Sequence, residues 1–177
     1  MNLQPFLQNE LVTATPLQQK NFEALYAAAS DPLIWEQHPN KNRWQLAEFT
    51  NYFKGAMESS GAFLVTDTKT DEVIGSSRYV DDKLKGELSI GYTFFKRSHW
   101  GTGHNKALKQ LTLAHAFQYT GIVYFYIGAV NKRSQIAITR IGAQKIREEE
   151  TAYYGEAPKL DYIYAIEKDG WIQKTHR

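Results

Sequence analysis

The sequence contains no cysteine in 177 residues. That excludes thiol nucleophiles, thiolate metal sites and disulfide staples together. It fits a reducing compartment, so a cytoplasmic protein is expected. Long apolar runs are missing too: no stretch approaches the roughly 20 residues that span a bilayer. The first residues, Met1-Asn2-Leu3-Gln4-Pro5, lack the basic start and apolar run of a signal peptide. No membrane association is expected. Neither sign of charge is in excess, since 21 Lys and Arg face 19 Asp and Glu for a net charge of +2. The basic residues are scattered rather than gathered in a stripe, so no nucleic-acid partner is expected. Nothing resembling a repeat, a low-complexity tract or a Pro/Gly/Ser linker divides the chain. Residues 1–177 read as a single domain, long enough to bury a core without covalent help.

What the sequence does have is aromatic residues, at 14%, and clear periodicity. Leu11 to Leu17 alternates as a strand. Gln18 to Ala29 reads as a helix, with Phe22, Leu25, Tyr26 and Ala29 on one face, and Ser30-Asp31-Pro32 stops it. Trp44 to Glu58 is a second helix, with Leu46, Phe49, Phe53 and Met57 down one side. Ala62–Asp67 and Val73–Val80 read as strands joined by a polar hairpin loop. Glu87 to Phe95 alternates again. Leu88, Ile90, Tyr92 and Phe94 are expected on one face, with Glu87, Ser89, Gly91, Thr93 and Phe95 on the other. A loop over Lys96–Gly103 leads to a helix over His104–Tyr119 and a buried strand over Gly121–Val130. Asn131 can cap a helix over Lys132–Ile141, and Gly142 can end it. Strands near Gln144–Thr151 and Leu160–Glu167 precede a polar tail. Consecutive central strands imply antiparallel pairing, and the strand–helix–strand unit from Glu87 to Val130 implies one parallel pair. The expected fold class is α/β (α+β): a mixed, mostly antiparallel sheet flanked by helices.

The informative segment runs from Tyr92 through Trp100-Gly101-Thr102-Gly103-His104-Asn105. Here a strand enters a glycine-containing loop that opens a helix. Helix N-termini leave backbone N–H groups unpaired, and their dipole favours negative charge, so phosphates bind there readily. Glycines leave room for such an approach and tolerate positive φ. By itself Gly-x-Gly also suits a plain tight turn. It is not a nucleotide P-loop, because no Gly-Lys-Ser/Thr follows. His99 and His104 stand five residues apart across a turn, which is not a metal-ligand spacing, and no metal is expected.

Together with Ala129-Val130-Asn131-Lys132-Arg133-Ser134 and Arg140-Ile141-Gly142-Ala143, this segment resembles the GNAT superfamily of N-acetyltransferases. Trp100 stands where Gln or Arg is usual, and Asn105 where a final Gly or Ala is usual. The form Trp-Gly-x-Gly, with Ile90-Gly91-Tyr92 and Asn131-x-x-Ser134, looks like the branch of ribosomal-protein-alanine N-acetyltransferases. The resemblance is strongest from Ser89 to Ala143. It implies a splayed strand pair holding acetyl-coenzyme A as acyl donor. Thr93, Phe94 and Phe95 would line the pantetheine arm. Trp100, Gly101, Thr102, Gly103, His104 and Asn105 would hold the pyrophosphate, and Asn131 would contact the pantetheine end. Many members use a Tyr as acid where Ile138 stands here. Ser134 matches the Ser of the ribosomal-protein branch and is the candidate acid, the alternative being a Ser that merely caps the helix. Glu87 is the candidate base, the alternative being a solvated carboxylate beside Lys83 and Lys85. Trp35, His38 and Trp44 fall on the segment that walls the acceptor cleft in the family, or else simply pack the helices.

The resemblance implies direct attack of a primary amine, either a protein N-terminus or a small molecule, in a ternary complex. Without cysteine, no thiol can carry a covalent acetyl intermediate. A homodimer is a mild expectation from the late strands. Two alternatives stay open at this level. One is a non-catalytic acyl-coenzyme A sensor or interaction module of the same fold, motivated by Ile138 and Asn105. The other is an unrelated mixed α/β nucleotide binder.

Overall fold

Strand alternation and helix periodicity meet in one eight-stranded sheet in a computed structural model that describes residues 1–175. The strands are β1 (Leu7–Gln8), β2 (Val12–Pro16), β3 (Ala62–Asp67), β4 (Val73–Asp82), β5 (Glu87–Phe95), β6 (Ile122–Gly128), β7 (Gln144–Thr151) and β8 (Lys159–Glu167). Their spatial order is β1-β2-β3-β4-β5-β6-β8-β7. Every neighbouring pair is antiparallel except β5 and β6, which are parallel. The expected order of elements is found. The additions are the short β1 and a helix, α5 (Lys168–Thr175), where a polar tail was expected. Trp171 supplies the apolar contact that holds α5, with its ring 5.3 Å from Phe117.

The helices α1 (Phe22–Ala29), α2 (Leu46–Glu58), α3 (His104–Ala116) and α4 (Lys132–Arg140) follow the apolar stripes. On β3 the alternation sends Phe63 and Val65 to one face and Leu64 to the other. Phe63 and Val65 join Leu108, Leu113 and Ala116 of α3 in one core. Leu64 joins Leu25 of α1 and Phe49, Phe53 and Ala56 of α2 in a second. Leu46, expected on the buried side of α2, is exposed, and Tyr52 takes the inward place instead. The sheet thus separates an α1–α2 layer from an α3 layer, and burial of apolar surface in both holds the strands between them. Asn131 caps α4 as expected, its side chain accepting the Ser134 N–H, and Gly142 follows its end at φ +105°.

One strand departs from the simple alternation. Gly91 of β5 pairs with Arg78 and Phe94 pairs with Ser76, so Tyr92 and Thr93 both oppose Ser77. This is a β-bulge, and Tyr92 sits in it at φ +53°. Beyond the bulge the faces are exchanged. Leu88 and Ile90 belong to the α3-side core, but Phe94 lies in the α1–α2 core and Phe95 returns to the α3 side. Tyr92 also packs toward α1 and α2, while the Thr93 hydroxyl bonds Lys109 of α3. The expected grouping of Thr93 with Glu87 and Ser89 is therefore corrected: one extra residue inverts every side chain that follows.

Candidate active site

The bulge and the parallel pair together make an opening. β5 and β6 share a single paired position, Ser89 with Tyr124. Past it β5 stays with β4 and β6 stays with β8, so the two strands part as a fork. A cleft of about 1470 Å³ fills the gap. Its walls are β5 from Glu87 to Phe95, the loop with Trp100, Gly101 and Gly103, the end of β6, the inner side of α4, and the segment from Ile34 to Arg43.

At one end of the cleft is the glycine loop. Lys96 N–H bonds the Ile74 carbonyl at 2.7 Å, and the Trp100 indole donates to the Phe95 carbonyl at 3.0 Å. These contacts fix the turn out of β5. Gly101 and Gly103 have φ of +74° and +92°. A Cβ at Gly101 would meet nothing within 4 Å, so its backbone conformation, rather than crowding, selects glycine there. Gly103 is the N-cap of α3, and no side chain caps that helix. Its first N–H groups are left for an anion, and the helix dipole adds to the attraction. Lys106, Lys132, Arg133 and Arg140 also line the cleft. The Arg133 guanidinium lies 4.1 Å from the Trp100 ring centre.

Not every expected loop residue points at the cleft. Thr102 and His104 turn their side chains away: the Thr102 hydroxyl donates to the His99 carbonyl and meets His104 Nδ1, both at 2.7 Å. His104 Nε2 lies 2.9 Å from Asp67 Oδ2, and His99 Nε2 lies 3.7 Å from the same oxygen. Sequence spacing set His99 and His104 apart from metal-ligand patterns, but the fold adds Asp67 and brings all three donor atoms within 4.8 Å of one another. In this structure the hydrogen bond from His104 to Asp67 ties the loop to the end of β3. The His104 contact, with backbone N–H groups of Lys69 and Thr70, holds the Asp67 carboxyl down at about 2. Asn105 does face the cleft, and its Oδ1 is buried without a partner among the described residues.

In the middle of the fork, Thr93 Oγ1 lies 2.8 Å from Ser77 Oγ and accepts from Lys109 Nζ at 2.8 Å. Lys109 is buried, and burial pulls its ammonium down to about 7. Sequence reading passed over this residue. The available signal was a lysine on the apolar stripe of α3, four residues before Leu113 and seven before Ala116. On the α4 wall, Asn131 is buried and spends its side chain on the Ser134 N–H. The Ser134 side chain lines the cleft, as does Ile138.

Glu87 lines the cleft where the fork begins. Its Oε2 accepts from the Tyr126 hydroxyl at 2.6 Å and from Arg147 at 2.9 Å. Burial, then the Glu87 hydrogen bond, push the Tyr126 hydroxyl up to about 12. Glu87 is thus held by Arg147 and Tyr126, where sequence reading placed Lys83 and Lys85 beside it. Lys85 instead pairs with Glu149, and Lys83 with Asp81.

The opposite wall carries Trp35 and His38. Trp35 is buried, donates its indole N–H to the Ala29 carbonyl at 2.8 Å, and lies 5.2 Å from Phe94. His38 is neutral: burial, then the neighbouring Arg43, push it down to about 3. Arg43 in turn pairs with Glu156 at 2.6 Å. Trp44 is corrected. It packs against the α1–α2 core and is not among the residues that border the cleft, which is the packing role the sequence also allowed, and α2 starts two residues later than expected. Tyr153 closes this wall by standing edge-on to Tyr92 at 5.6 Å and donating to Asp161 at 2.5 Å.

The site thus combines a splayed parallel pair, a bulge on its first strand and an open helix N-terminus at one end. The model of the acetyltransferase (GNAT) domain matches residues 12–144. The chain belongs to the GNAT acetyltransferase family. Solved structures of similar fold include a GCN5-related N-acetyltransferase from Brucella melitensis. It is 17% identical, with a TM-score of 0.80 over 96% of this chain and 81% of that one. A GNAT-family acetyltransferase from Bacillus anthracis is also 17% identical, with a TM-score of 0.72 over 93% and 99%. RimJ from Mycobacterium smegmatis, solved in complex with CoA-disulfide, is 16% identical, with a TM-score of 0.68 over 93% and 87%. None of the curated proteins matches the chain. As a GNAT protein the chain is an N-acetyltransferase, and its mixed sheet with flanking helices is the fold of that family. No helix among the described residues is long and apolar enough to cross a membrane.

Proposed function

We propose that this GNAT protein transfers an acetyl group from acetyl-coenzyme A to a primary amine by direct attack in a ternary complex. The observation that carries the reading is the fork between β5 and β6, which ends at the uncapped N-terminus of α3. A pyrophosphate fits the open N–H groups after Gly101 and Gly103, and Lys106 and Lys132 add positive charge beside it. The thin pantetheine arm would run along β5, whose edge beyond Ser89 has no strand partner on the β6 side. A preorganised N–H of Thr93, Phe94 or Phe95 would then meet the thioester oxygen as negative charge develops. Trp100 and Asn105 would complete the loop side, and Asn131 the pantetheine end.

The acceptor enters from the side of Trp35, His38 and Tyr92. Glu87 is proposed as base, and Ser134 as a hydrogen-bond donor to the departing thiolate. Contacts with Arg147 and Tyr126 hold the Glu87 carboxylate where the fork begins. The Ser134 hydroxyl makes no hydrogen bond among the described residues and is open to the cleft. A protein N-terminus is the favoured acceptor by likeness to the ribosomal-protein branch, and a small amine is the alternative. The test is calorimetric titration of acetyl-coenzyme A, with a Gly103→Glu variant beside it. Micromolar binding that the variant loses supports the reading and locates the pyrophosphate. No binding to the wild type sinks it.

A further inference from the structure

Lys109 occupies a core position of α3 and is only 4% exposed. Its Nζ donates to the Thr93 hydroxyl on β5 and lies 5.6 Å from the ring centre of Phe125 on β6. Those contacts lie on the two strands that diverge, so the ammonium stands in the crotch of the fork and faces the cleft. Its surroundings are neutral: Thr93 on β5, Ser77 of β4 behind Thr93, and Phe125 on β6. Among the described residues no carboxylate pairs with it, and burial alone moves its proton affinity. Burying a cation without a partner is costly. Groups held in that state cluster at sites where charge develops during function. Ile138 of α4, which also lines the cleft, carries no proton to donate.

We propose that Lys109 is the general acid for the departing sulfur of the acyl thioester, a role that rests on the acetyl-coenzyme A reading above. The acceptor nitrogen bonds to the carbonyl carbon, and the tetrahedral intermediate then collapses. The C–S bond breaks and its electron pair goes to sulfur. Lys109 Nζ gives that sulfur a proton and becomes a neutral amine. The acceptor nitrogen loses its proton to Glu87, which passes it to water, and Lys109 regains one from water, so the net movement is one proton from nitrogen to sulfur. An ammonium near 7 donates downhill to a thiolate whose thiol has a reference value of about 8.5. Thr93 fixes the position of Nζ, which explains why the bulge turns that hydroxyl toward α3.

The experiment compares coenzyme A with desulfo-coenzyme A, which lacks the sulfur, by calorimetry near neutral pH. Turnover of acetyl-coenzyme A is measured on the same proteins. The wild type is expected to bind coenzyme A about tenfold more tightly than the desulfo analogue, as a hydrogen bond to a charged group allows. Lys109→Met is expected to bind both alike, at the wild type's desulfo affinity, and to lose at least about 100-fold in kcat. Lys109→Arg, a cation with no proton to spare, keeps the preference for sulfur but loses kcat to a similar degree. A Met variant with wild-type turnover, or one that retains the sulfur preference, overturns the assignment. A wild type that binds neither ligand overturns the acetyl-coenzyme A reading itself.

Discussion

Replacing Lys109 with Met should make the protein more stable, and the size of the gain follows from its burial. The lysine moves from its ordinary value of 10.5 to about 7 in the folded protein. Each tenfold change in a proton equilibrium is worth about 1.4 kcal/mol, so the folded state forgoes up to about 5 kcal/mol when it holds the ammonium. The sign fixes the pH window. Between about 7 and about 10.5 the unfolded chain binds the proton and the folded chain does not, so stability rises with pH there. Below about 7 both states are protonated and the full penalty is present. Methionine has nearly the same length and no charge, and such swaps cost less than about 1.5 kcal/mol. Thr93 keeps its contact with Ser77 at 2.8 Å. Near pH 6 the variant should therefore gain about 3 kcal/mol, or roughly 6–12 °C in Tm for a chain of this size. The difference should shrink toward pH 10. Urea unfolding of both proteins at three pH values is the assay. A wild type whose stability is flat from pH 6 to 10, with a Met variant no more stable, would refute the reasoning. A protein that keeps such a group sacrifices stability at a working site.

Three further outcomes are expected. Gly128→Ala would place a Cβ 2.3 Å from the Pro39 ring; the rigid ring must move, which costs about 1–3 kcal/mol and should raise KM for the acceptor more than for the acyl donor, with wild-type kinetics and Tm telling against it. Glu87→Gln should lower kcat by about 100-fold or more through loss of the base, and Ser134→Ala by about tenfold through loss of one hydrogen bond to the thiolate; full turnover removes either residue from its role. Asp67 lies at about 2 in the folded protein, below its unfolded value of about 3.9, so its contribution is complete above about pH 4 and is lost as pH falls through 2; in acid titrations followed by tryptophan fluorescence, Asp67→Asn should show a flatter acid limb than the wild type.

The order of elements was legible because local periodicity and punctuation carry it. Phe63, Leu64 and Val65 alternate, Asn131 caps, and two glycines interrupt the chain where strand gives way to helix. The phosphate end of the site was legible for the same reason, since a loop at a helix N-terminus is a contiguous feature. The bulge at Tyr92 was not. Gly91 beside it is a local hint, since a lone glycine in a strand can mark a bulge, but the extra residue exists only relative to the register of β4. The faces of Thr93 and Phe94 followed from that register. The choice between cleft and core for Trp44 was not legible, because an aromatic residue near a helix start reads alike in either place.

The sequence alone determined the strand–loop–helix that suits an anion, the absence of any thiol chemistry and the mixed order of strands and helices. These depend on neighbours within a few residues. Tertiary structure alone decided that Lys109 meets Thr93 across two elements, that Asp67 joins two histidines, and that Arg147 claims Glu87. Such contacts join residues far apart in the chain, and burial and strand register, which set them, are properties of the packed whole.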